Sequence, residues 1–367
     1  MSRLAMPLPA SDTSIEYQNQ LNEKIERMNQ LFAPFTPPAL EIFPSAEKHF
    51  RMRTEFRIWQ SQGRADFTMF SKIDKKPYAV TEFSIGSLTI NRLMPLIIDA
   101  INTDDGLRKK LFQVEFLTTL DGQAVVSMIY HKPLDEEWIT KAESLRQTLN
   151  ISIVGRSRKQ KVVLGNDFVI ENLKVLDKTY AYQQVESSFT QPNAKVCEQM
   201  LTWATTHSQN LGGDLVELYC GNGNFTLPLS RNFERVVATE VSKTSVESAN
   251  FNITQNSIEN IKIGRLSAEE FTQAMDKVRP FTRLAHIDLD DYNFSTIFVD
   301  PPRAGMDPDT CTLAQRFDNI IYISCNPETL VENLQQLTQT HNIVKFALFD
   351  QFPFTHHIET GVILKKK

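Results

Sequence analysis

The chain has 367 residues, 41% of them hydrophobic and 23% charged, a globular composition with room for about two domains of ~150 residues each. Its opening, MSRLAMPLPASD, has no sustained apolar stretch, and nowhere do ~18 apolar residues run together, so neither a secretory signal nor a membrane span is expected and the cytoplasm is the expected location. Cys197, Cys220, Cys311 and Cys325 are too scattered for a disulfide framework, a zinc site or an iron–sulfur site, so no metal is expected and any cysteine chemistry is that of a thiol.

The net charge of −5 argues against indiscriminate nucleic-acid binding, but residues 1–185 carry 24 Lys+Arg against 22 Asp+Glu while the remainder carries 15 against 22. In chain order, Leu21, Ile25, Met28 and Phe32 have the spacing of a short amphipathic helix. The stretch HFRMRTEFRIW then alternates with period two. Phe50, Met52, Thr54, Phe56 and Ile58 fall on one face and Arg51, Arg53, Glu55 and Arg57 on the other, the pattern of a half-buried strand with a cationic outer face. QSQG reads as a turn into RADFTMF, and QAVVSMIYH, ISIVG and KVVLG as further strands. Between them LDEEWITKAESLRQTLN places Leu134, Trp138, Leu145 and Leu149 on one side of a helix. Residues 1–180 are therefore expected to form a mainly antiparallel β domain with some helix.

Basic residues cluster within this half. Lys48, Arg51, Arg53, Arg57, Arg64, Lys72, Lys75 and Lys76 form one run, and RSRKQK (Arg156, Arg158, Lys159, Lys161) a second without an acid. Solvated basic faces are common. Two such runs with Phe50, Phe56, Trp59 and Phe67 interleaved nevertheless suit an RNA-contact surface, because phosphates need cations and unstacked bases need flat rings. Arg51, Arg53 and Arg57 are the candidate contacts.

From about residue 195 helices alternate with the short apolar runs DLVELY, RVVATE, IKIGR, STIFVD, NIIYIS, KFALFD and TGVILKK, the pattern of a doubly wound parallel sheet. An α/β, Rossmann-like domain is expected over 181–367. Four of the runs end in the polar loops CGNGNF, EVS, DPPRAG and CNPETL, which such a sheet gathers at the crevice beyond its strands' carboxyl ends.

In VELYCGNGNF a strand enters Gly221-Asn222-Gly223 and then a helix, so the backbone can turn tightly and approach a ligand. Glu240 at the end of the next strand can accept hydrogen bonds from two ribose hydroxyls. The missing third glycine disfavours a dinucleotide, and the absence of G-x4-G-K-[ST] excludes a P-loop. A phosphate-free nucleoside such as S-adenosylmethionine fits. Asp300, before two prolines that fix the loop, suits a carboxylate gripping a base, and alone would equally suit methylation of an exocyclic amine. Cys325 by itself reads as a small hydrophobe ending a strand. With the other loops beside it, a thiol adding to carbon 6 of a pyrimidine would activate carbon 5 for methylation. The carbon-5 proton then needs a base, and QFPFTHHIET supplies His356, His357 and Glu359.

SFTQPN, VELYCGNGNF, ATEVS, FVDPPRAG, YISCNPETL and LFDQFPFTHHIETGV, together with HFRMRTEFRIW and LFQVEFLTTL, span nearly the whole chain. In these motifs the sequence resembles the RNA uracil-5-methyltransferase family, and within it the branch that forms ribothymidine in the T-loop of tRNA. The resemblance implies Cys325 as nucleophile and Glu359 as proton acceptor. It implies Gln191, Tyr219, Asn224, Glu240 and Asp300 as positions binding S-adenosylmethionine, beside Gly221 and Gly223 of the loop. Ribosomal-RNA relatives usually carry a cysteine-ligated iron–sulfur cluster and often an extra N-terminal β-barrel; neither is expected here. The implied partner is the T-arm of tRNA, or another RNA with a T-loop-like hairpin, bound by the N-terminal domain, with no obligate protein partner. An N-methyltransferase acting through Asp300, and an RNA-folding helper acting through the basic face, are the competing readings.

Overall fold

The apolar runs of the C-terminal half become strands of one eight-stranded sheet in the computed structural model, which describes residues 10–71 and 76–367. Across the sheet the order is Glu41–Phe43, His341–Phe349, Glu359–Lys366, Asn319–Ser324, Phe294–Val299, Asp214–Leu218, Val236–Thr239 and Ile261–Gly264. Asp214–Leu218 and Asn319–Ser324 are buried along their entire lengths, as strands covered on both faces must be. Asp214–Leu218 pairs in parallel with Val236–Thr239 on one side and Phe294–Val299 on the other. The winding therefore reverses there, and a crevice opens beyond the carboxyl ends. The expected doubly wound α/β domain is present, with one departure from a wholly parallel sheet. Glu359–Lys366 runs antiparallel to both its neighbours, so it begins at the edge where the parallel strands end.

A single boundary at residue 180 does not separate the two compact units. One unit holds the residues up to Glu47, Leu173–Tyr182 and Lys195–Lys367; the other holds Lys48–Asn172 and Gln183–Ala194. The reason lies in the first helix, Ala10–Phe32, which is longer than the apolar quartet suggested. It buries Tyr17, Leu21, Met28 and Phe32 in the same core as Leu330, Leu334 and Phe346, with the rings of Phe32 and Phe346 4.7 Å apart. Full burial of side chains such as Met28 and Phe32 stabilises by about 1.5–3 kcal/mol each. Glu41–Phe43 then joins the sheet in parallel with His341–Phe349.

The second unit is built on a seven-stranded sheet in the order Pro77–Ala79, Arg64–Phe70, Arg53–Ser61, Leu111–Thr118, Ala124–Tyr130, Ser152–Ser157, Gln160–Leu164. All pairs are antiparallel except Ala124–Tyr130 with Ser152–Ser157, and the helix Glu136–Leu149 makes that crossover. The turn after Arg53–Ser61 is a two-residue hairpin in which Gln62 and Gly63 take φ of 50° and 74°, the twist that matches flanking strands. Helix Leu88–Thr103 was not legible in the sequence, because Pro95 interrupts it and proline argues against a helix interior. It nonetheless buries Ile90, Leu93, Met94, Ile97 and Ile101. A hairpin of Phe168–Val175 and Lys178–Val185 was likewise missed. Among the described residues no helix is long and apolar enough to cross a membrane.

Candidate active site

Cys325 follows the last residue of Asn319–Ser324, and Asn326 caps the next helix, Pro327–Leu337, with its side chain accepting from the Glu328 N–H. Proline at the first helical position needs no donor there, which explains the Cys-Asn-Pro order. Ser324 Oγ both donates to the Asn326 carbonyl at 2.9 Å and accepts from its N–H at 3.2 Å, fixing the turn that presents the thiol. Cys325 is half-buried while Cys197, Cys220 and Cys311 are buried. Ser324 pairs with Thr360, so the antiparallel register brings Glu359 to the position beside Cys325. Burial, with the charges of Glu359 and Asp300, pushes the thiol up to about 11, against a lowering by Arg303. Glu359 is the first residue of its strand, 2% exposed, and its Oε2 has no hydrogen-bond partner. Burial first and Asp300 second hold its carboxyl well above the usual carboxylate range. His356, by contrast, lies exposed on the preceding loop.

The Asp-Pro-Pro-Arg loop is tied to the cysteine turn. Asn326 Nδ2 and Thr329 Oγ1 both donate to the Arg303 carbonyl, at 3.1 and 3.2 Å. Asn333 accepts from the Met306 N–H and donates to the Met306 carbonyl, each at 2.9 Å. Asp300 follows the strand Phe294–Val299, and burial pushes its carboxyl up to about 7. Glu217, buried within the central strand, is a third such carboxyl: its Oε2 is unpartnered, and burial plus the Asp300 charge raise it well above its ordinary value. Sequence reasoning passed over Glu217. The signal was an acid inside an otherwise apolar strand, which a neutral buried carboxyl explains.

At the end of that strand Tyr219, Gly221 and Gly223 all have positive φ, of 63°, 56° and 84°. For tyrosine this is a strained conformation that costs on the order of 1–3 kcal/mol and is found where a site requires it. A Cβ on Gly223 would stand 2.7 Å from Leu227, whereas one on Gly221 would meet nothing within 4 Å. Gly223 thus permits close packing onto the helix Thr226–Leu229, and Gly221 faces open space. Glu240 braces the loop: Oε2 accepts from the Gly221 N–H at 3.1 Å and Oε1 from the Ser242 N–H at 2.7 Å. Asn224 receives a hydrogen bond on its carbonyl from Tyr182 Oη at 2.9 Å, and its Nδ2 lies 3.5 Å from Cys197 Sγ. Tyr219, Gly221, Gly223, Asn224, Glu240, Asp300, Cys325 and Glu359 all belong to the unit of the eight-stranded sheet. Gln191 belongs to the other unit, with its Oε1 buried and unpartnered. Among the described residues no group of three or more His, Cys, Asp or Glu is arranged to hold a metal ion.

In the second unit the candidate RNA contacts divide. Arg57 is exposed on its strand, its guanidinium 4.0 Å from the centre of the Phe112 ring, and Phe112 stacks on His131 at 4.3 Å. Lys110, Gln60 and Ile58 line the same shallow pocket. Arg53 instead donates to the carbonyls of Ser188 and Glu186, and Arg51 Nε donates to the Arg53 carbonyl at 2.8 Å. Phe50, Phe56 and Phe67 are buried core residues, which corrects their expected role as exposed rings; Trp59 is exposed. Lys161 and Arg156 of the second basic run pair with Glu186. Lys72 and Lys75 lie outside the described residues. Phe112 and His131 were not found from sequence, because they come from neighbouring strands, Leu111–Thr118 and the end of Ala124–Tyr130.

Comparison with known proteins identifies the family. The profile of the tRNA (Uracil-5-)-methyltransferase family matches residues 16–367. A tRNA/tmRNA (uracil-C(5))-methyltransferase of Cellvibrio japonicus is 62% identical over 366 residues, covering 99% of this chain and 100% of that protein. One from Vibrio parahaemolyticus is 55% identical over 358 residues, covering 96% and 97%. Among solved structures, the Pyrococcus abyssi tRNA (uracil-54, C5)-methyltransferase in complex with S-adenosyl-L-homocysteine superposes with a TM-score of 0.72 at 19% identity, over 95% of this chain and 83% of that one. It shares the fold. With a profile covering almost the whole length and relatives above half identity, the chain belongs to the tRNA (uracil-5-)-methyltransferase family.

Proposed function

We propose that this protein methylates carbon 5 of the T-loop uridine of tRNA, using S-adenosylmethionine and a covalent Cys325 adduct. The observation that carries the reading is the Ser324–Thr360 register, which sets a half-buried thiol beside a buried carboxyl at the crevice edge. The residues present fit the donor. Gly221 leaves open space, Glu240 keeps lone pairs for hydroxyls, and the ionised form of Asp300, which burial disfavours, would be favoured by a nearby cation. When bound, S-adenosylmethionine supplies an electrophilic methyl group on a sulfonium.

Cys325 loses its proton to solvent, the thiolate sulfur bonds to carbon 6 of the uracil, and the electron pair of the 5,6 double bond moves to carbon 5 and the ring carbonyl as an enolate. After carbon 5 is methylated, Glu359 as carboxylate takes the carbon-5 proton. The electrons restore the 5,6 double bond and expel the Cys325 thiolate. Burial raises the proton affinity of Glu359, which makes it a stronger base once ionised. Asp300, held by the rigid loop, orients the base and the donor beside the thiol. The second unit contributes the tRNA contact, through Arg57 on one side of the Phe112 ring and the exposed His131 stacked on the other, a cation beside a flat ring for an unstacked base. The reading is of a cytoplasmic enzyme that acts on tRNA without an obligate protein partner.

Nucleoside analysis of tRNA incubated with the protein and labelled S-adenosylmethionine tests the reading. Label in 5-methyluridine is expected. Label in an N-methylated adenosine or cytidine would favour the rival chemistry, which leaves Cys325 and Glu359 without roles.

A further inference from the structure

The first helix does more than complete a core. Its residues Gln20, Lys24 and Arg27, spaced at i, i+4 and i+7 and so on one helix face, all engage the segment 350–358 that leads into Glu359. Gln20 Oε1 accepts from the Phe354 N–H at 2.8 Å. Lys24, 4% exposed, donates to Asp350 Oδ1 at 2.6 Å and to the Phe352 carbonyl at 3.0 Å. Arg27 Nη1 donates to the His356 carbonyl at 3.0 Å. The other arm of the same guanidinium, Nη2, pairs with Glu328, the second residue of the helix that starts two positions after Cys325. One planar fork thus ties the loop that delivers the carboxylate to the helix that carries the cysteine turn.

We propose that Arg27 is a positioning residue for adduct resolution, holding the Glu359 loop in register with the Cys325 turn through His356 and Glu328. Arg27 and Glu328 are 38% and 49% exposed, and ion pairs so accessible to water add little to stability. The fork is better accounted for by geometry, which only a planar, two-armed donor supplies. Lys24 anchors the start of the same segment from the buried side, and Arg27 sets its end. The inference rests on the roles proposed above for Cys325 and Glu359.

Single-turnover reactions with unmodified tRNA and S-adenosylmethionine, quenched into denaturant and resolved by electrophoresis, separate adduct formation from release. In Arg27→Ala the adduct should form at close to the wild-type rate but disappear about tenfold to a hundredfold more slowly, the scale expected of a small misplacement of a reacting group. The melting temperature should not change, and Arg27→Lys, which keeps one of the two contacts, should fall between. If Arg27→Ala releases RNA at the wild-type rate while Glu359→Gln accumulates adduct, the positioning role is wrong and the carboxylate's role stands. Equal loss of both steps with a lowered melting temperature would also overturn it, leaving Arg27 a structural residue. If Glu359→Gln itself turns over normally, the base assignment falls and this inference with it.

Discussion

Cys325 and Glu359 each stand one residue beyond a shared rung, Ser324 opposite Thr360, of an antiparallel strand pair. Had Glu359–Lys366 run parallel to its neighbours, its first residue would lie at the far edge of the sheet, a strand length from the thiol. The direction of one strand therefore decides whether nucleophile and base meet. It also explains why the two are so far apart in the chain's motifs yet adjacent in the fold.

The first prediction concerns the thiol. Because burial and the neighbouring carboxyls push Cys325 up to about 11, its thiolate fraction in the free protein should keep growing with pH across the alkaline range. Alkylation by iodoacetamide, followed by peptide mass spectrometry, should modify Cys325 ahead of the three buried cysteines and at a rate that climbs steadily. A rate that levelled off near about pH 8.5, the ordinary thiol value, would show a site that does not raise the thiol.

A second follows from Asp300. Its carboxyl, pushed up to about 7 by burial, is mostly neutral below that pH and ionised above it, so affinity for a cation should grow as pH rises through 7. Titration calorimetry should find S-adenosylmethionine binding tighter at pH 8 than at pH 6 by up to about tenfold, one pKa unit's worth. S-adenosylhomocysteine, without the sulfonium charge, should change less. Asp300→Asn should flatten the difference; an undiminished pH dependence in that variant would assign it to another group.

Glu240→Ala leaves the Gly221 and Ser242 N–H groups without their acceptor and removes the proposed ribose anchor. Cofactor affinity should drop by roughly 1–3 kcal/mol, the usual cost of unpaired buried polar groups. Unchanged affinity in the same calorimetric assay would rule Glu240 out as the anchor.

The sequence was most legible where one residue's identity restricts the backbone. Gly221, the prolines after Asp300 and Asn326-Pro327 each constrain the chain locally, and their loops fall at the crevice edge as expected. What was not legible depends on pairing at a distance. Ala10–Phe32 carries an ordinary amphipathic pattern, and nothing in it says that Met28 and Phe32 pack with the C-terminal sheet rather than with the β unit that follows. The same blindness assigned Phe50, Phe56 and Phe67 to an RNA-facing role. Alternation already sets Phe56 on the face opposite the cationic one, and the helix Leu88–Thr103 that Pro95 concealed covers that face, so these rings cannot serve as a stacking platform beside the arginines.

For RNA binding, Arg57→Ala should weaken tRNA affinity and reduce the salt dependence by about 0.7–0.9 in slope per lost phosphate contact. His131→Ala, which removes the exposed ring of the stack, should cost about 1–3 kcal/mol while leaving the slope intact. Arg53→Ala should instead lower the melting temperature, since its donors hold the Glu186 and Ser188 carbonyls. Filter binding across a salt series separates these outcomes, and an unaltered slope in Arg57→Ala would move the contact to Arg158 and Lys159.

The most direct measurement is denaturing electrophoresis of the protein with tRNA and S-adenosylmethionine, comparing wild type, Cys325→Ala and Glu359→Gln. Glu359→Gln should methylate once and accumulate a covalent protein–RNA species whose cross-linked peptide contains Cys325. Wild type should be trapped in the same way by RNA carrying 5-fluorouracil, because fluorine cannot leave as a cation, and Cys325→Ala should form no adduct while still binding both ligands. Normal turnover in Cys325→Ala would contradict the account at its centre and return Cys325 to a small side chain at the end of a strand.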